Sequence, residues 1–468
     1  MARKSHIVLL VIILHFIALV RRNVSFDVAG SEEFLFPKEA LPTSSGYLTV
    51  NENSGARMFY VFYEAISPAT EDLSKVPLIL WLQGGPGCSS MIGNFYELGP
   101  WRVNEDQHLY KNDGAWNRLY GLLFVDNPVG TGFSIAPNEE DIPSDEEKLA
   151  SDLFTALQAF FIKHKSYQSR PFYVMGESYA GKYVPALSYR ILQELDKRNS
   201  GVNSMGMKSI PAVRLDGLAI GNGLTHPIAQ VNSYAPVAYY IGLIDNNQRL
   251  SLEAKAEDAI AKINQKDWYN ASIARGELLN SLSQASGLAT LLDIRRKTDY
   301  YTYENGSSFL EPFLNKHAVK KAIGADISVT WVDCSSLVDN RMQNDIMKST
   351  KWMVEALLHR VPVLLYQGQF DLQDGVASTE AWLQELEWNG AKEFLASKRN
   401  LWLVNETLAG YVRSYETLAH VVVVDSGHLV PADQSIISQT MIESWISGLN
   451  LVKNVLLGPD VVSKQALK

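Results

Sequence analysis

A serine placed to act as a nucleophile lies in the run Pro171-Phe-Tyr-Val-Met-Gly-Glu-Ser-Tyr-Ala-Gly-Lys-Tyr183. A hydroxyl attacks poorly until a base takes its proton, and that base needs a third group to orient it. Candidates for both lie further along the chain. Gln367-Gly-Gln-Phe-Asp371 and Asp425-Ser-Gly-His428-Leu-Val-Pro-Ala-Asp433 each follow an apolar run. Of the nine histidines, His428 alone sits in such a turn. Asp371 is the candidate acid, with Asp374 and Asp425 as rivals. Attack on a carbonyl also needs donors for the developing oxyanion. The loop Gln83-Gly84-Gly85-Pro86-Gly87 follows another apolar run, and its glycines let backbone N–H groups approach a substrate closely. The N–H of Tyr179, next to the serine, is the second donor. Taken singly, each of these has a plainer reading: a βα turn for Ser178, a surface loop for His428, a simple turn for the glycines.

The elements that must position these residues give the group its weight. Phe172 to Met175 reads as a buried strand, and Lys182 to Leu195 as a helix, with Tyr183, Ala186, Leu187 and Ile191 near helical spacing. Between them Ser178 occupies a sharp turn whose neighbours must be small. Gly176 fits, Ala180 replaces the usual second glycine, and Gly181 follows. This is the nucleophile elbow of α/β-hydrolases, in which serine, acid and histidine follow in that order, each past a strand. Tyr47–Val50 and Met58–Ala65 suggest an opening hairpin. Val76–Leu82, Leu122–Asp126, Val213–Ile220, Val361–Tyr366 and Val421–Val424 read as further strands. A helix runs from Asp145 to about His164, and 436–450 reads as a closing amphipathic helix. Alternating strands and helices predict an α/β fold with a mainly parallel central sheet flanked by helices. Residues 26–225 and 361–455 form its two parts. Residues 226–360 read as a helical cap inserted over the carboxyl ends of the strands, and 456–468 as a tail.

The 468 residues carry 46% hydrophobic and 20% charged side chains and a net charge of −9, a globular composition that argues against a nucleic-acid partner. Arg3 and Lys4 precede an apolar run from Ile7 to Val20, which reads as a signal peptide within residues 1–25 or an uncleaved anchor. After cleavage no membrane insertion is expected. Sequons at Asn23, Asn270, Asn305 and Asn405 fit passage through the secretory pathway. Cys88 and Cys334 allow one bridge in an oxidising compartment, or stand as two buried thiols.

Trp81-Leu-Gln-Gly-Gly-Pro-Gly-Cys-Ser-Ser90, Glu97-Leu-Gly-Pro100, Asn127-Pro-Val-Gly-Thr-Gly-Phe-Ser134, Gly176-Glu-Ser-Tyr-Ala-Gly-Lys-Tyr183 and Gly427-His-Leu-Val-Pro-Ala-Asp-Gln434 resemble the signature blocks of serine carboxypeptidases. The blocks span about residues 40 to 450. The style around Asp371 and Asp433 looks most like the branch with vitellogenic and retinoid-inducible carboxypeptidases, which some plant carboxypeptidase-like members share. The resemblance implies removal of C-terminal residues from peptides or proteins, with no cofactor and no metal. It gives Ser178 the attack, His428 the proton, Asp371 the orientation of His428, and Gly85 and Tyr179 the oxyanion. It assigns Gln83, Gly84, Glu97 and Glu177 to the substrate's free carboxylate. Carboxylates set against a third repel it, so one or both glutamates must be protonated, which implies activity at acidic pH. It also implies a Cys88–Cys334 bridge and a secreted or vacuolar/lysosomal protein. Gln83 departs from the family's usual Asn, and Ser426 and Leu429 from its usual Ala and Met. Acyl transfer on the same triad, or a non-catalytic binding role, are the alternatives within the resemblance.

Overall fold

Six largely apolar strands build the centre of this fold. The computed structural model describes residues 36–200 and 212–448. The predicted signal segment, Asn23 and the tail at 456–468 lie outside the described residues. The chain divides into units Met1–Leu41 and Pro42–Lys468. In the first, the described residues form a 3-10 turn at Lys38–Ala40. All that follows concerns the second.

Its strands are β1 (Ser44–Asn51), β2 (Ala56–Tyr63), β3 (Leu78–Leu82), β4 (Trp101–Val103), β5 (Leu109–Lys111) and β6 (Gly121–Val125). They continue with β7 (Phe172–Glu177), β8 (Gly217–Gly221), β9 (Val363–Gly368), β10 (Asn400–Val404), β11 (Thr407–Tyr415) and β12 (Leu418–Val423). β4 and β5 form a separate ribbon. The other ten make one sheet in the order β1-β2-β6-β3-β7-β8-β9-β12-β11-β10. From β6 to β12 every neighbouring pair is parallel, while β1, β2, β10 and β11 pair antiparallel at the two edges. The prediction of a mainly parallel sheet holds for the centre and misses the β10–β11 hairpin. β3, β6, β8 and β9 are buried at every position, as strands covered on both faces must be.

Helices α1 (Glu146–Lys163) and α2 (Ala180–Asn199) pack on each other, and α2 packs on β7. The Asp145 carboxylate accepts from Lys148 N–H and caps α1. Between β8 and β9 the named elements are all helical. They include the paired helices α3 (Asn246–Asn264) and α4 (Trp268–Ser286). The closing helix α5 runs over Ser435–Ile446, shorter than predicted. Asn270, Asn305 and Asn405 are all exposed on this unit. The turns after β3, β7, β8, β9 and β12 all open at the carboxyl end of the parallel strands, where open α/β sheets bind ligands.

Candidate active site

Ser178 follows β7 directly and holds φ at 62°, a left-handed conformation costly for a residue with a Cβ. Its N–H donates to Gly221 O (3.0 Å), and its carbonyl accepts from Gly181 and Leu224 N–H groups. These bonds over-determine the strained turn. A Cβ at Gly176 would stand 2.4 Å from Leu82 O and 2.7 Å from the Ala180 Cβ, which is why small residues flank the serine. At Gly84 a Cβ would lie 2.5 Å from Tyr179 N. The glycine loop after β3 therefore lies directly against the amide that follows the serine.

His428 Nδ1 and Asp371 Oδ2 are 2.6 Å apart, with both residues buried. Asp371 Oδ2 also accepts from Asn222 Nδ2 (2.7 Å), and Oδ1 from the N–H groups of Gln373 (2.8 Å) and Asp374 (3.2 Å). Four donors leave this carboxylate one orientation. Of its rivals, Asp425 is exposed, and Asp374 faces Arg275 at 3.6 Å. Burial alone would lower the His428 pKa. The Asp371 charge outweighs it, and the imidazolium is held above its ordinary value.

Gln83 Nε2 forks between Glu177 Oε1 (2.7 Å) and Glu97 Oε1 (3.1 Å), and Trp81 Nε1 donates to Gln83 Oε1 (3.0 Å). The indole thus fixes which way the amide faces. Both glutamates are fully buried, and Glu97 Oε2 and Glu177 Oε2 receive no donor from the described residues. Burial pushes Glu97 up to about 7. Burial and the Glu97 charge push Glu177 well above the carboxylate range. Two carboxyls so placed share protons, so the pair titrates as a unit. Glu97 closes a π-helical turn, Gly93–Glu97, and its carbonyl accepts from Arg102 Nε (2.8 Å) and Asn112 Nδ2 (3.0 Å). Arg102 also binds the Pro431 and Ala432 carbonyls just past His428, and so ties the Glu97 turn to the histidine turn.

Gln83, Gly84, Gly85, Glu177, Ser178 and His428 all line one cavity of about 710 Å³. Ser178, Tyr179 and Gly85 also line a second, of about 370 Å³. The serine stands where the two meet. A disulfide joins Cys88 to Cys334 and pins the glycine loop to the helical segment between β8 and β9. Beneath the elbow, Lys182 is wholly buried, with its Nζ on the backbone O and Oδ2 of Asp345.

Sequence reasoning did not single out Asn222, Trp81 or Arg102. Only Asn222 carried a signal, its position at a strand end between two glycines. Replacing Asn222 with alanine is expected to lower kcat about 10–100-fold, the worth of a hydrogen bond to a charged group. Steady-state kinetics check this, and a kcat within about twofold of the parent's would rule out the supporting role.

The family described as serine carboxypeptidase matches residues 35–448. Serine carboxypeptidase-like 50 of Arabidopsis thaliana is 47% identical over 95% of this chain and 96% of its own. The venom serine carboxypeptidase of Apis mellifera is 36% identical over 88% of this chain and 86% of its own. The crystal structure of Kex1(delta)p, a prohormone-processing carboxypeptidase from Saccharomyces cerevisiae, superposes with a TM-score of 0.78 at 26% identity, covering 90% of this chain and 96% of that one. With a family match over most of its length and a fold of the α/β-hydrolase kind, this chain belongs to the serine carboxypeptidases and is a serine-type carboxypeptidase.

Proposed function

We propose that Ser178, His428 and Asp371 form the catalytic triad, and that the chain releases single residues from the free C-termini of peptides at acidic pH. The observation that carries this reading is the buried Glu97–Gln83–Glu177 group, of which Gln83 and Glu177 line the same cavity as Ser178. A hydrolase acting on esters or internal bonds has no use for it. A substrate's terminal carboxylate can accept from a protonated glutamate and, in place of one of the glutamates, from the Gln83 amide. That contact sets the last peptide bond against Ser178 Oγ. His428 Nε2 takes the hydroxyl proton as Oγ bonds to the carbonyl carbon, and Asp371 holds the Nδ1–H. The N–H groups of Gly85 and Tyr179 receive the oxyanion. The tetrahedral adduct collapses, the C–N bond breaks, and His428 gives its proton to the departing amine. Water, deprotonated by His428, then releases the acyl group.

Residues 226–360 serve as the cap of this site, since α4 supplies wall residues to both cavities. The apolar N-terminal run, the sequons and the disulfide support passage through the secretory pathway to a secreted or vacuolar/lysosomal location. No helix among the described residues is long and apolar enough to cross a membrane.

The test is hydrolysis of N-blocked dipeptides offered with free and with amidated C-termini at about pH 5. Turnover of the free acid at least about 100-fold faster than the amide is expected, the worth of charge-assisted contacts to the carboxylate. Equal rates would remove the clamp. Labelling of Ser178 by a phosphonylating reagent without any peptide turnover would favour acyl transfer.

A further inference from the structure

We infer that the residue this site releases is basic: a Lys or Arg side chain at the C-terminus meets Asp333 and Asp299 on the wall beside the clamp. The inference rests on the clamp reading above and deepens it. Gln83, Gly84 and Glu177 line the 710 Å³ cavity, so the residue whose carboxylate they hold places its side chain there. Glu177, fully buried with Oε2 unpartnered, aims into the same space.

Among the ionisable side chains on the walls of that cavity, carboxyls predominate. Asp299 and Asp333 line it, and no lysine or arginine does among the described lining residues. Asp333 is held in place by its neighbours. Ser89 N–H donates to Asp333 O (2.9 Å), Ser335 N–H donates to Gly87 O (2.8 Å), and the adjoining Cys334 is bonded to Cys88. The residue thus stands alongside the loop that carries the clamp amide. Its carboxylate accepts from Ser308 Oγ (3.1 Å) and forms no ion pair among the described residues. Burial pushes it up to about 7, the behaviour of a carboxylate that lacks a cation. Tyr301 lines the same wall. After burial, the charges that raise its hydroxyl are those of Asp333, Asp299, Glu97 and Glu177 in turn. Tyr301, Asp299, Asp333 and Glu177 all line this cavity. An aromatic face and unpaired carboxylates suit an ammonium or guanidinium. Ile92, Leu279 and Leu429 offer apolar surface to the methylene stem of a long basic side chain. The second cavity differs, because the cation on its wall, Arg275, already faces Asp374.

The test compares kcat/KM for four N-blocked dipeptides that differ only in the last residue, Lys, Arg, Leu or Glu. Rates are normalised to the protein fraction labelled by a serine phosphonylating reagent, so misfolded protein is not counted. Release of Lys and Arg at least about tenfold faster than Leu is expected, with Glu slowest. In Asp333→Asn combined with Asp299→Asn, the Lys-to-Leu ratio is expected to fall toward one. Leu released as fast as Lys by the parent protein overturns the inference and leaves the carboxypeptidase reading standing. A Lys preference that survives the double substitution also overturns it. Turnover of none of the four removes the underlying reading and the inference with it.

Discussion

Replacing Ser178 with alanine is expected to lower kcat on an N-blocked dipeptide by about 10⁶-fold, with KM changed far less. The variant keeps the clamp, so substrate still binds, but nothing remains to form the acyl intermediate. Asp371→Asn is expected to cost about 10⁴-fold, less than loss of the nucleophile, because an amide can still occupy the place between His428 and Asn222 while stabilising the wrong imidazole tautomer. Single-turnover assays with active-site labelling separate the two. The serine variant neither labels nor turns over, whereas the Asp371 variant labels slowly. A Ser178→Ala protein retaining more than about 1% of parent activity would remove Ser178 from the reaction.

The second large effect concerns pH. The acid form of Glu97 is neutral and predominates below about 7, and it loses its proton as pH rises through that region, while burial and the Glu97 charge hold Glu177 well above the carboxylate range. The charge so formed repels the substrate carboxylate, so KM for a free-acid peptide climbs on the alkaline side. At the other end, His428 must be neutral to act as a base, and its raised value brings the loss of rate at low pH in earlier than for an ordinary histidine. A bell in kcat/KM results, with both limbs belonging to coupled groups. An ester substrate without a terminal carboxylate lacks the alkaline limb. In the double variant Glu97→Gln, Glu177→Gln both members are neutral at every pH. The ratio of KM at pH 8 to KM at pH 5, expected at about tenfold or more in the parent, should fall toward one. A ratio unchanged in the variant would show that another group sets the alkaline limb.

The residues proposed as nucleophile, base, acid and clamp stood out because each lies in a short run whose neighbours mark it. Gly176 and Gly84 are glycines for reasons of close approach that their spacing around Ser178 and Gln83 already suggests. The parallel centre was legible for a related reason, since β3, β8 and β9 are continuous apolar runs. What stayed hidden is carried by contacts between distant segments. Asn222 reaches Asp371, Arg102 reaches past His428, and Lys182 finds Asp345 across 163 positions. Nothing near any of these residues announces its partner. The β10–β11 hairpin hid for another reason. Its turn uses Asn405 and Glu406, both at positive φ, where glycine is the usual marker. Leu401 and Leu408 also stand exposed at its edge, which blurs the alternation that signals a half-buried strand.

The insertion between β8 and β9 also sets the order in which the molecule can be completed. Roughly 140 residues lie between the end of β8 and the start of β9, and at about 5–20 residues per second they occupy some ten seconds or more of synthesis. Throughout that interval the growing chain already holds β1, β2, β3, β6, β7 and β8, with one side of β8 lacking the strand it pairs with in the finished sheet. The elbow serine can be in place while Asp371 and His428 have yet to be made. An apolar strand left open for that long invites pairing with a neighbouring chain. The half-made protein is therefore inert as a peptidase, but it depends on whatever shields a bare sheet edge in its compartment.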